Sequence, residues 1–284
     1  TKNIVEGYKN AYSNIHYVHQ EENIGATNNF TFIYTHAKGR FVVAIGDDDY
    51  LTPDYLQAVL EILYKFPDIS ILCIFNAWFN RPGFYAGVRE GMTSYIEDVS
   101  YYAVTISAHI YRSVYIRNLR LPKGLPIKFL PVLAYSLEIL RHHPRFVFMT
   151  GLLFRPGTGE CAHVTSKQYD AQMKEAVGYA DLGTVFIHEQ NEILKFYQNY
   201  GLLPDAVKKI RYDTLKFVLL HWCRLVAKKS VKWQSKRVLY WYDRYYNKEY
   251  YYLKYRKKLE KFVQKDDGRN NELTDDRCDG LLDT

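Results

Sequence analysis

Residues Arg40 to Gly46 read RFVVAIG, and three consecutive aspartates, Asp47, Asp48 and Asp49, follow directly. A continuous apolar run rich in β-branched residues suits a central strand covered on both faces. After the aspartates comes Tyr50-Leu51-Thr52-Pro53, where Thr52 fits an N-cap and Pro53 the first helical position, so a helix is predicted over 53–65. Pro67-Asp68 stops it, and Ile69 to Phe75 (ISILCIF) repeats the buried-strand pattern. Upstream, Ala26, Phe30, Ile33, Tyr34 and Ala37 share one helical face over 25–37, and Lys38-Gly39 supplies the stop. Helices alternating with buried strands imply an α/β fold with a largely parallel sheet.

The rest of the chain reads less sharply. A helix is expected over 2–12, a short strand over 15–19, loops or a hairpin over 77–96, a strand over 104–111 and a helix over 130–141.

In open α/β sheets ligands collect outside the carboxyl ends of the strands, which is where the three aspartates fall. Adjacent carboxylates repel one another, and a divalent cation is the usual compensation. Hard oxygen donors suit Mg²⁺ or Mn²⁺, commonly held by one or two carboxylates together with substrate phosphates. The alternative is a polar loop whose aspartates cap the next helix, a role that Thr52 already fills.

Composition excludes several classes. The 284 residues are 48% hydrophobic and 24% charged, the balance of an ordinary globular protein, so a disordered, collagen-like or disulfide-scaffold chain is ruled out. Cys73, Cys161, Cys223 and Cys278 show no paired spacing for zinc or a redox dithiol, which reads as reduced cytoplasmic thiols. No apolar run approaches the ~18 residues of a membrane span, and TKNIVEGYKN lacks the layout of a secretory signal.

The net charge of +7 is unevenly placed. Residues 1–200 carry 18 basic and 19 acidic groups, residues 201–265 carry 18 and 5, and residues 266–284 carry 2 and 7. A near-neutral body is thus followed by a basic segment and an acidic tail, with a composition shift near Gly201.

The stretch from Glu21 to Leu60 resembles the centre of family 2 glycosyltransferases of the GT-A fold. It holds, in the family's order, Asn23-Ile24-Gly25, Ala37-Lys38-Gly39, the strand Phe41 to Ile45, the acidic motif Asp47 to Asp49 and Pro53-Asp54-Tyr55-Leu56. The IGDDD form and the later ISAHIYR stretch are most similar to members that build bacterial surface polysaccharides such as capsule or O-antigen. The resemblance covers roughly residues 1–115 and fades beyond.

It implies transfer of a sugar from a nucleotide diphosphate sugar to a hydroxyl of a glycan or lipid-linked acceptor, with inversion at the anomeric carbon. A bound Mn²⁺ or Mg²⁺ would bridge the diphosphate and neutralise the leaving group. Asp48 is the first choice for the metal ligand, with Asp47 and Asp49 sharing ligand or sugar-contact roles. Asn23, Gly25, Asn28 and Asp47 would line the nucleotide-sugar side; for Asn23 and Gly25 a plain turn and helix start is the competing reading. The general base is sought at Glu97-Asp98 or at Glu138, against the alternative that all three are surface carboxylates.

By the same resemblance the chain begins after the family's first two strands, so a GT-A-like, Rossmann-like and mostly parallel sheet lacking its first strands is expected. The expected division is 1–165 as a partial transferase domain and 166–284 as a mainly helical, basic, Tyr-rich extension with an acidic tail. A truncated, inactive remnant that binds a membrane or partner protein is the alternative function.

Several other features have simpler explanations. His142-His143-Pro144 reads as a helix end, His163 fits no metal spacing, and His188-Glu189-Gln190-Asn191-Glu192 has Glu192 where a zinc protease needs its second histidine. Arg155, in a Gly-rich turn, could meet a phosphate or simply face solvent. Between Lys208 and Lys265, Leu215, Val218, Leu219 and Trp222 share a face opposite lysines, and aromatic and basic residues interleave further on. Three readings compete: helices on an anionic membrane surface, an accessory helical subdomain, or a single-stranded nucleic-acid binder. The expectation adopted is a cytoplasmic enzyme, peripheral on the inner membrane face, with no nucleic-acid partner.

Overall fold

The computed structural model describes residues 2–46, 49–75, 85–125, 127, 130–151, 154–155 and 182–214. Helices α1 (Lys2–Ala11) and α2 (Ala26–His36) come first, then strands β1 (Phe41–Val43) and β2 (Tyr50–Leu51), helix α3 (Tyr55–Lys65) and strand β3 (Ile71–Phe75). Strand β4 (Tyr85–Glu90), helix α4 (Gly91–Val99), two 3₁₀ turns (Ser100–Val104 and Ile106–Ala108), strand β5 (His109–Arg112) and helix α5 (Ser113–Arg117) follow. Next are helix α6 (Pro131–His142) and strands β6 (Arg145–Thr150) and β7 (Phe154–Arg155). Helix α7 (Leu182–Gln198) and a helix over 204–214, α8, complete the described chain.

The main sheet has the order β1-β5-β3-β6-β4. Strands β3 and β6 pair in parallel, whereas β5 runs against both β1 and β3, and β4 runs against β6. Hence β1, β3 and β6 all point one way, and the expected α/β sheet is present with two opposed strands set among them.

All five residues of β3 are buried, as its apolar run requires. Its side chains alternate between two cores. Ile71, Cys73 and Phe75 join Tyr34 of α2, Tyr95 of α4 and Leu133 of α6 on one face, and Leu72 and Ile74 meet Val59 and Ile62 of α3 on the other.

Four expectations differ from the structure. Residues 104–111 form 3₁₀ turns and only then the short β5, because β5 pairs no further than Val43↔Ile110 and Cys73↔His109, after which β1 has already turned away into the acidic loop. The 77–96 region, read as loops or a hairpin, holds β4 and most of α4. Met92, Tyr95, Ile96 and Val99 are buried at helical spacing, a pattern obscured by Gly91, whose φ of 82° lets the chain turn sharply from strand to helix. Helix α3 starts at Tyr55, whose N–H bonds Thr52 O at 3.0 Å, so the N-cap position falls to Asp54 and Pro53 lies in the preceding turn. Residues 15–19 form no strand.

The described part of the chain beyond residue 166 packs on the same core. Ile193, Leu194, Tyr197, Leu202, Ala206, Val207 and Ile210 belong to the cluster that covers one face of the sheet. Gly201, at the composition shift, has φ 97° in the turn between α7 and α8, where Leu202 N–H bonds Tyr197 O at 3.1 Å. The left-handed conformation there favours glycine. Residues 215–284, with most of the basic excess, lie outside the described residues, as do Cys161, His163, Cys223 and Cys278.

Candidate functional site

Strands β1, β3 and β6 deliver their carboxyl ends to one edge of the sheet. There β2 pairs antiparallel with β7 (Tyr50↔Arg155, Leu51↔Phe154), and Gly151 N–H bonds Phe75 O at 2.8 Å. The Arg155 backbone therefore sits beside the acidic loop, and its side chain lies outside the described atoms.

The loop itself is closed by local bonds. Asp49 N–H donates to Gly46 O at 3.2 Å, and Asp47 and Asp48 lie outside the described residues. Ser107, 1% exposed, bonds both Gly46 and Asp49. Its Oγ accepts from Gly46 N–H at 2.9 Å, and its hydroxyl donates to Asp49 Oδ2. Nothing in the periodicity of VTISAHIY marked Ser107, because the partners are 61 and 58 positions away.

Ser107 is carried by the turn just before β5, which is anchored by a buried side chain. Thr105 O accepts from His109 Nδ1 at 2.7 Å, so the proton sits on Nδ1, and Nε2 accepts from Tyr95 OH at 2.8 Å. Burial pushes His109 down to about 4 against the opposing pull of the Thr105 carbonyl, which keeps the ring neutral at physiological pH.

Helix α2 leads into β1, so its amino end points to the same edge as the loop. Gly25 has φ 77°, its N–H bonds Asn23 Oδ1 at 2.9 Å, and Asn28 Nδ2 donates to Ile24 O at 2.9 Å. Asn23 and Asn28 build the turn that starts the helix and remain exposed.

The three carboxylates considered as general base sit on helices α4 and α6. Helix α6 leads into β6, so Glu138, near its C-terminal end, lies toward the amino ends of β3 and β6. Its Oε1 accepts from Arg141 at 2.6 Å and its Oε2 from Tyr197 OH at 3.0 Å. Burial pushes the Glu138 carboxyl up, but bonds from Arg141, Tyr197 and His142 outweigh it and hold it below its ordinary value. It forms an ion pair within α6, and its bond from Tyr197 ties α6 to α7. Asp98 is paired with Arg89 Nε at 3.0 Å on the flank of the sheet, and Glu97 is exposed.

His142 does end α6, and His143 stacks on Tyr115 with ring centroids 3.6 Å apart, in keeping with a helix terminus and not a metal site. Among the described residues no cluster of three His, Cys, Asp or Glu forms a metal site. The side chains of Asp47, Asp48 and Asp49 offer carboxylate oxygens, donors that suit Mg²⁺ or Mn²⁺ in kind. No helix among the described residues is long and apolar enough to cross a membrane.

Residues 1–119 match the family model for glycosyl transferase family 2. No curated protein matches the chain. Among solved structures, S. aureus TarS 1–349 is similar at 16% identity and TM-score 0.42, over 80% of this chain and 66% of that one. The same fragment in complex with UDP-GlcNAc gives 17% and 0.43, over 75% and 58%. S. aureus TarS gives 18% and 0.38, over 69% and 35%. This chain thus spans under two thirds of each of these three structures.

Proposed function

We propose that this chain, whose residues 1–119 match the family model for glycosyl transferase family 2, transfers a sugar from a nucleotide diphosphate sugar to an acceptor hydroxyl, with inversion and with help from a divalent cation. The family match carries this reading, and the acidic loop at the carboxyl edge of the sheet supports it.

Asp48, with Asp47 and Asp49, would hold the cation, and the amino end of α2 with Asn23, Gly25 and Asn28 would border the nucleotide sugar. The cation supplies charge neutralisation at the diphosphate. The chain's own part is to present the carboxylates at a fixed place and to offer backbone N–H groups at a helix start, where negative charge is favoured. Of the carboxylates weighed as general base, Glu138 and Asp98 are engaged by arginines, and Glu97 is exposed.

The acceptor we favour is a polysaccharide or lipid-linked glycan, reached by a cytoplasmic enzyme at the inner membrane face through its basic segment. Residues 215–265 carry 15 basic against 3 acidic groups, the composition that draws a protein to anionic lipid. Assay of the chain with Mn²⁺ against a panel of nucleotide diphosphate sugars tests the reading. Release of nucleoside diphosphate that disappears in Asp48→Ala is expected; release that is unchanged in that variant defeats the metal assignment.

A further inference from the structure

We propose that the amino edge of the sheet, opposite the candidate site, is a membrane-docking face that lays the body on anionic lipid with the carboxyl edge turned away. This deepens the membrane reading above and rests on it for the anchor: the basic segment holds the chain at the lipid, and this face sets how the body lies.

Several elements deliver basic side chains to that edge. Lys38 and Arg40 lie between α2 and the amino end of β1, Lys65 closes α3, Arg112 ends β5 across from Phe41, and Arg117 ends α5. They form one surface. The Arg40 and Arg112 guanidiniums both lie over the Phe41 ring, at 5.9 and 4.8 Å, and Arg112 also faces Tyr115 at 5.9 Å. Arg112 reaches Ile69 O and Pro67 O just beyond α3, and Arg117 bonds Ala37 O beside Lys38.

Among the described residues none of these five basic groups pairs with a carboxylate, while Asp68 and Glu138 on the same side are already held by Arg145 and Arg141. Residues 1–200 carry 18 basic and 19 acidic groups, so the local excess comes from placement and not from composition. A basic residue in a last helical turn also answers the helix dipole, which accounts for Lys65; Lys38 and Arg40 lie outside any helix.

Charge alone would suit any polyanion, and the apolar groups beside it select lipid. Tyr64, 86% exposed, precedes Lys65, and Val114, 53% exposed, lies between Arg112 and Arg117. Apolar side chains left in water among cations match a bilayer surface, where the former enter the headgroup layer and the latter meet phosphate. Strand β6 has 6 residues, a rise of about 20 Å, so with this face down the carboxyl edge stands clear of the headgroups and meets the outer sugars of a lipid-linked glycan.

The test is flotation of the full chain with vesicles of phosphatidylcholine alone and with equimolar phosphatidylglycerol, with the thermal midpoint measured alongside. Each basic group near an anionic surface strengthens partition about fivefold, so Lys38→Gln with Arg40→Gln should weaken it roughly 25-fold. Lys2→Gln with Lys9→Gln, an equal loss of charge on α1, should leave it near the wild-type value. Tyr64→Ser with Val114→Ser should weaken vesicle partition several-fold and leave binding to soluble dextran sulfate unchanged. All six side chains are exposed, so folding should be retained. Wild-type partition in the Lys38 and Arg40 pair, or an equal loss in the α1 pair, overturns this face and leaves the basic segment as the lipid contact. Wild-type partition in the Tyr64 and Val114 pair assigns the face to a soluble polyanion and overturns docking on lipid. No preference of the wild type for anionic vesicles overturns the membrane reading and this proposal with it.

Discussion

Tyr197 donates its phenolic proton to Glu138 Oε2 at 3.0 Å, joining two helices 59 positions apart in a buried contact. The same carboxylate is held by Arg141, whose guanidinium also lies over the Tyr200 ring at 4.9 Å. One charged group thus ties α6 to α7. Tyr197→Phe should cost about 1.5–3 kcal/mol, the worth of a hydrogen bond to a charged acceptor. Glu138→Gln should cost more, because Arg141 loses its partner. Urea unfolding measures both. Below the melting range nucleotide-sugar turnover should survive Glu138→Gln; its abolition in a folded variant would restore Glu138 as a candidate base.

Acid stability should also register Glu138. Its carboxyl is held below the ordinary 4.5, so its contribution is complete above that value in the unfolded chain and is lost as pH falls through the lower folded one. The Glu138→Gln variant should therefore show a flatter stability profile below pH 4.5 than the wild type.

His109 gives a separate acid signature at higher pH. Held at about 4 by burial, against an ordinary 6.5, it binds a proton more readily when unfolded. Its neutral form therefore favours folding fully above pH 6.5, and that stability is lost as pH falls from 6.5 toward 4, by about 3 kcal/mol in total. Denaturant midpoints across this range, compared with His109→Gln, measure it. A wild-type profile with the same slope as the variant contradicts the neutral-ring assignment.

Gly201→Ala should destabilise by about 1 kcal/mol or more, since φ 97° is strained for any residue with a Cβ even though open space surrounds the position. Thermal melting reads the loss. A neutral result means that the turn between α7 and α8 can relax without penalty.

Membrane association is expected of residues 215–265, and deletion should begin after Thr214 because Leu202, Ala206 and Ile210 are core residues. The full chain should float with anionic liposomes and stay behind with neutral ones, and the truncated chain should stay behind with both. Equal recovery with neutral vesicles removes the electrostatic proposal.

Much of the core could be read directly from the sequence. Phe41–Val43 and Ile71–Phe75 form as strands where expected; β3 is covered on both faces, as its apolar run implies, whereas β1 is only partly covered. Helices α1, α2 and α6 fall within a residue of the expected bounds, since a helical stripe is a local property. The α4 helix was hidden by its glycine start, and β5 was shortened because a strand extends only as far as its neighbours pair.

What the sequence determined by itself was the order of helices and buried strands, the position of three carboxylates at a strand end and the concentration of basic charge after Gly201. These depend on periodicity and charge along the chain. Only the tertiary structure decided that β5 runs against its neighbours, that Glu138 is committed to Arg141 and Tyr197, and that Ser107 ties down Asp49. Each of those relations joins residues far apart in the chain, and no local pattern encodes a partner that packing alone brings near.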